Sequence, residues 1–265
     1  MSPRSLEAEA IVLDCQDHGE ADLIVTFFCL DIGRVSGIAK GAKRSQRRFV
    51  NKLELFSFLH ITYSDLANSS LLFIHDAELH ASFLNLRKNI ALYTTATTIR
   101  EFILMAMRDG ERDENLFRLI LWALHNLDMK QPHLSVLALF LVKFYACIGY
   151  KPQMHACLSC GTPVLSGLEY RFNYLSGGIV CSACPSTTHQ AGIRLSQGTV
   201  KILQSAQDMP LERLHRLKFS GPVLDECLNV LHYYGRHLFQ RDISSWNMLN
   251  SCGYMGKRLA RQAQR

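Results

Sequence analysis

The sequence predicts an α+β chain, with a five-stranded barrel at its N-terminus and a helical domain into which a four-cysteine module is inserted. Three observations carry this. Short runs rich in β-branched and aromatic residues fill the chain from residue 7 to about 80, and from about residue 85 the apolar spacing lengthens to three and four. Four cysteines fall in two pairs, Cys157-Leu-Ser-Cys160 and Cys181-Ser-Ala-Cys184, with twenty residues between them. A run of Lys and Arg without a single acid lies between the third and fourth expected strands.

The β elements come first. Residues 9–14 (Glu-Ala-Ile-Val-Leu-Asp) and 22–28 (Asp-Leu-Ile-Val-Thr-Phe-Phe) read as two strands. Asp31-Ile-Gly33 is a turn, and residues 34–40 alternate apolar with polar. Residues 56–63 and 71–77 complete a set of five. Five short strands in about seventy residues, with a long polar loop after the third, match the size and layout of an OB barrel. Gly33, Gly37 and Gly41 permit curvature and close backbone approach.

The helices follow. Leu92, Ala96, Ile99, Ile103 and Met107 make one stripe, ended by Gly110. Leu116, Leu119, Ile120, Ala123 and Leu127 make a second, broken by Pro132. Residues 134–148 form a third helix closed by Gly149 and Pro152, 195–207 a fourth, and 223–239 a fifth entered at Gly221-Pro222. The expected division is 1–82 for the barrel, 83–154 and 190–250 for the helical domain, 155–189 for the cysteine module and 251–265 for a basic tail.

A chain of 265 residues that is 48% hydrophobic can bury sizeable cores, and its net charge of +6 suits an anionic partner. Nine cysteines and an N-terminus without a long apolar stretch point to a reducing, cytoplasmic setting. The most apolar run, 136–142, is too short to span a bilayer and reads as a buried helix. Cys15, Cys29, Cys147, Cys227 and Cys252 stand alone and are expected to act as small core hydrophobes.

The cysteine pairs have the spacing of a tetrahedral structural zinc site, with each Cys-x-x-Cys turning two sulfurs toward one ion. Cys157, Cys160, Cys181 and Cys184 are the expected ligands of one Zn²⁺. A zinc enzyme is the competing reading, because His18-Gly-Glu20 matches part of a deaminase signature. No proline precedes either pair, and four sulfurs leave no coordination position for water. His155 and His189 flank the pairs and read as exposed loop residues.

Between Asp31 and Glu54, seven of the chain's 29 Lys and Arg fall in 22 positions: Arg34, Lys40, Lys43, Arg44, Arg47, Arg48 and Lys52. Gly41 and Ser45 disfavour helix, so the run 40–48 reads as a loop whose charges face solvent. Such a run meets phosphates well, because each neutralised phosphate releases counterions, and Arg adds bidentate contacts. Phe49, Phe56, Phe58 and Tyr63 lie nearby and could stack bases, although strand phenylalanines are usually core. His232, Arg236, His237 and Arg241, with Lys257, Arg258 and Arg261, could form a second basic patch that helps two strands approach.

Ala10-Ile-Val-Leu-Asp14, Gly19-Glu-Ala-Asp22, Leu23-Ile-Val-Thr-Phe-Phe28, Gly33-Arg34 and Ala39-Lys-Gly-Ala-Lys-Arg44 together resemble the N-terminal domain of the bacterial RecO family. The likeness continues in order through Leu53-Glu-Leu-Phe56, the helices, and the cysteine pairs around Tyr170-Arg-Phe-Asn173, so it covers nearly the whole chain. It implies an OB domain, a helical domain and a zinc module. It implies a recombination mediator, not an enzyme, that binds single- and double-stranded DNA and anneals complementary strands. It also implies work with RecR and with the C-terminal tail of single-strand binding protein, leading to RecA loading and a nucleoid-associated location. The expected DNA contacts are Arg34, Lys40, Lys43, Arg44, Arg47 and Arg48. An RNA-binding OB protein with a zinc ribbon is the alternative among binding modules.

Overall fold

The computed structural model describes residues 5–66, 69–184 and 192–251. Five strands, β1 (Leu6–His18), β2 (Asp22–Cys29), β3 (Gly33–Ala39), β4 (Phe58–Asp65) and β5 (Leu72–Ala81), close into a barrel in the order β1-β2-β3-β5-β4. All neighbours are antiparallel except β3 and β5, which pair in parallel at Gly37–Leu72 and Ile38–Phe73. This is the expected OB barrel, with longer first and last strands than the sequence pattern marks.

The run Ala10-Ile-Val-Leu13 is buried on both faces of β1. Ala10 and Val12 join Val25, Phe27, Leu59, Ile61 and Ile74 inside the barrel, whereas Ile11 and Leu13 join Phe28 and Phe56 in the core of the helical domain. The unbroken apolar run therefore reports a strand covered on both sides. The junction is tightened at Gly33, which has φ 71° and lies so close to the chain at residues 111–112 that a Cβ would overlap the Glu111 carbonyl oxygen.

The helical domain holds α1 (Leu84–Lys88), α2 (Ile90–Ala106), α3 (Glu114–Asp128), α4 (His133–Cys147), α5 (Gln197–Asp208), α6 (Gly221–Phe239) and α7 (Ser244–Ser251), with a 3₁₀ turn at Leu211–Arg216. Asn89, Asp113 and Ser196 cap α2, α3 and α5 by accepting backbone N–H bonds, and Pro222 opens α6. Residues Val136 to Val142 of α4 are all buried, and no helix among the described residues is long and apolar enough to cross a membrane.

The cysteine module is a three-stranded sheet, β7 (Gly178–Cys181), β6 (Tyr170–Asn173) and β8 (Gly192–Leu195) in that order. It extends past the expected limit at 189, because Gly192-Ile-Arg-Leu195 pairs along β6 before α5 begins. Tyr170, Phe172, Ile179 and Val180 belong to the same core cluster as the helices. The Phe172 ring meets Tyr234 of α6 edge to face at 5.6 Å.

Candidate nucleic-acid interface and metal centre

The chain between β3 and β4 covers one end of the barrel. Ala42, Phe49 and Leu53 turn inward and join the barrel core. Just before and between them, Lys40, Lys43, Arg44, Arg47 and Arg48 are exposed. Ala42–Arg44 forms a single 3₁₀ turn. Gly41, at φ 68°, makes the bend that starts it, and its N–H donates to Asp22 Oδ1 at 2.8 Å.

The β1–β2 turn holds this segment from the side. The Lys43 N–H donates to the Ala21 carbonyl at 2.9 Å, and Lys43 Nζ reaches the Gly19 carbonyl at 3.2 Å and Asp17 Oδ2 at 2.9 Å. Arg44 lies 3.5 Å from Glu20. The two most distinctive sequence pieces, Gly19-Glu-Ala-Asp22 and Ala39-Lys-Gly-Ala-Lys-Arg44, thus clasp each other. The clasp also brings acids to a loop that has none of its own, so Lys43 and Arg44 are partly neutralised. Lys40 and Arg47 carry their charge into solvent. Arg48 donates at 3.2 Å to the carbonyls of His75 and Lys40 and lies over the Phe49 ring at 5.0 Å.

Arg34 stands apart from the other five expected contacts. Its guanidinium bonds Asp109 at 2.7 Å and the Leu104 carbonyl at 3.2 Å, and its side chain is only 22% exposed. It ties the barrel to the loop after α2, and the spatial cluster is Lys40, Lys43, Arg44, Arg47 and Arg48. Phe49, Phe56 and Tyr63 are buried and Phe58 half-buried, so these rings are packing residues.

The late basic patch is also rearranged. His232 stacks flat on Trp246, 4.4 Å away, and burial together with nearby Arg236 pushes its pKa down to about 4. It is therefore a neutral packing group. Arg236 pairs with Asp242 at 2.7 Å and lies over Tyr233 at 5.9 Å. Arg236 and Arg241 line a shallow cleft with Tyr174, Tyr233 and His237. Lys257, Arg258, Arg261, the rest of the basic tail, Cys252 and His189 lie outside the described residues.

The four cysteines converge. Cys157 and Cys184 sulfurs are 3.7 Å apart, Cys160 and Cys181 3.7 Å, and Cys181 and Cys184 3.6 Å. A tetrahedral ion with Zn–S bonds of about 2.3 Å requires S···S separations of about 3.8 Å. The donor set therefore fits a metal ion of this kind. The Cys181 N–H points at Cys157 Sγ over 3.3 Å, and Cys160 Sγ lies 3.2 Å from the Thr162 hydroxyl, contacts that orient these sulfurs toward a common centre. The lone cysteines differ. Cys29 and Cys227 are buried and burial raises both well above the ordinary thiol range, while Cys15 and Cys147 are half-buried and shifted up for the same reason. His155 is exposed beside the module and faces Asp208 at 3.4 Å.

Sequence reasoning did not single out a cleft of about 230 Å³ between α3, α4 and the start of α6. Trp122, Val136, Leu139, Leu217 and Phe219 give it apolar walls, and His215 and Lys218 lie at its edge. The Trp122 Nε1 is buried there without a hydrogen-bond partner among the described residues.

Comparison with known proteins agrees with this architecture. The model for the N-terminal domain of recombination protein O matches residues 1–83, and the model for its C-terminal domain matches residues 87–247. The DNA repair protein RecO of Syntrophobacter fumaroxidans is 30% identical over 93% of this chain and 97% of that protein. The RecO proteins of Syntrophus aciditrophicus and a Thermoanaerobacter species are 26% and 28% identical, each over 94% of this chain. With both domain models matched in order on a closed barrel and a helical domain, this chain belongs to the RecO family of DNA repair proteins.

Proposed function

We propose that the chain binds single- and double-stranded DNA through Lys40, Lys43, Arg44, Arg47 and Arg48, and anneals complementary strands without covalent catalysis. One observation carries this reading: five cations on a loop pinned over the barrel end by Ala42, Phe49 and Leu53. A fixed basic rim offers phosphates a site whose ordering cost has been met in folding, and it screens two strands from each other. Arg34 is left out of this set because Asp109 and the Leu104 carbonyl hold its guanidinium at the domain junction.

The family's partners come with this reading. RecR and single-strand binding protein would act on the helical domain, and RecA would be loaded downstream on gapped DNA in the nucleoid. The cleft beside Trp122, apolar with a lysine at its edge, suits the acidic, apolar tail of single-strand binding protein. The four cysteines would hold one Zn²⁺ as a structural ion that fixes the β6–β7 hairpin against α6.

The test is annealing of complementary strands coated with single-strand binding protein, with and without RecR. Faster annealing on adding this protein supports the reading, and no acceleration in either arm would overturn it. A preference for RNA over DNA of the same sequence would favour the RNA-binding alternative.

A further inference from the structure

We propose that Glu9, His60 and His80 form a second metal site, for a divalent transition ion of the zinc class, on the outer face of the barrel. Three strands supply one ligand each. Glu9 of β1 lies directly opposite His60 of β4 in the antiparallel ladder. The β4–β5 register shifts at this level: Phe58 faces Ala81, Leu59 faces Leu79, and His80 is the extra residue between them. Such a bulge redirects a side chain that a regular ladder would place elsewhere. Here it brings His80 to the same carboxylate that His60 reaches.

The geometry fits three ligands of one ion. His60 Nδ1 is 3.4 Å and His80 Nε2 3.1 Å from a single atom, Glu9 Oε1. One ligand atom from each of Glu9, His60 and His80 lies within 4.8 Å of the other two, close enough for a single ion to bind all three. Bonds of about 2.1 Å to N and O ligands set ligand separations of about 3.0 Å at octahedral and 3.4 Å at tetrahedral angles. The second ring nitrogen of His60, Nε2, faces Glu7 Oε2 at 3.4 Å. That is the carboxylate–histidine arrangement which orients a metal-bound imidazole. Two nitrogens and one oxygen without a thiolate suit Zn²⁺, Co²⁺ or Ni²⁺ over Mg²⁺ or Ca²⁺.

The side chains of Glu9, His60 and His80 are between 32% and 39% exposed, so an ion there would keep open positions and exchange with solvent. Its place in the fold suggests an effect. The His80 ring is 5.0 Å from Phe58, and Phe58 meets Phe117 of α3 at 6.2 Å. An ion would tie β1, β4 and β5 together where the barrel rests on the helices.

The experiment is calorimetric titration of Zn²⁺, and optical titration of Co²⁺, into full-length protein whose cysteine site is already filled. The expected result is one further equivalent in the wild type, without the thiolate charge-transfer band that Co²⁺ shows at a cysteine site. Binding should weaken at least tenfold in His80→Ala and in His60→Ala, and about tenfold in Glu7→Gln. His80→Gln preserves size and hydrogen bonding, and should lose the ion while leaving the metal-free melting curve unchanged. No further equivalent in the wild type, or an equivalent that both histidine variants hold with the wild-type affinity, would reduce the cluster to surface ion pairing and overturn the proposal.

Discussion

The cysteine cluster and the basic loop are both fastened to a hydrophobic core, but in different ways. In the module, two of the four cysteines are themselves part of the core: Cys157 and Cys181 are buried with Tyr170, Phe172 and Ile179 in the cluster that includes α4 and α6. In the loop, the two tasks fall to alternating residues. Ala42, Phe49 and Leu53 hold the segment down, and their neighbours Lys40, Arg47 and Arg48 are exposed. The difference teaches that a change at a module cysteine should act first on folding, whereas a change at a loop cation should leave the fold intact and, on the function proposed above, weaken binding.

The largest effect expected is on the module. Structural zinc contributes about 10–16 kcal/mol of apparent binding energy in small zinc domains, and a domain of this size shifts Tm by about 2–4 °C per kcal/mol. Cys157→Ser should therefore lower Tm by at least about 10 °C in a calorimetric scan. Its DNA affinity, measured where it is still folded, should change less than about threefold. A large loss of affinity in the folded variant would break the separation between the two regions.

Next comes the loop. The triple variant Lys40→Glu, Arg47→Glu, Arg48→Glu should weaken single-strand binding at least about 100-fold at moderate salt. Its Tm should stay within about 2 °C of wild type, because surface charges away from special features contribute little to stability. Removing the neighbouring acids should act the opposite way. Asp17→Asn with Glu20→Gln releases Lys43 and Arg44 and should strengthen binding about threefold at low salt, with the gain vanishing at high salt as the charges are screened. Unchanged affinity at low salt would mean that those two cations do not meet DNA. The smallest effect on DNA belongs to Arg34. Arg34→Ala should leave affinity within about twofold and cost about 1 kcal/mol of stability, seen as a small fall in Tm. A tenfold loss of affinity would return Arg34 to the interface.

Much of this was legible in the sequence because it is local. Short runs of β-branched and aromatic residues mark the five strands, and the four cysteines sit at the spacing a shared metal site requires. The rest depends on what the fold brings together. The window from 32 to 53 contains no acid, yet Asp17 and Glu20 reach it across the β1–β2 turn. Arg34 looks like one more loop cation until Asp109, 75 residues away, takes its guanidinium. His232 reads as part of a basic face until Trp246 covers it. β8 is four residues, too short for its alternation to be distinguished from the start of a helix. His80 joins Glu9 and His60 at a bulge, and a bulge has no reliable pattern in one sequence.

The central claim is that the loop over the barrel end meets DNA phosphates. It is tested most directly by the salt dependence of single-strand binding, compared between the Lys40, Arg47 and Arg48 reversal and a matched reversal of the exposed Arg118, Lys130 and Arg213 on the helical domain. Each phosphate contact contributes about 0.7 to the slope of log K against log salt for single strands. The account predicts that the loop variant loses about two from the slope while the matched variant keeps the wild-type value. Equal slopes in the loop variant and the wild type would contradict it.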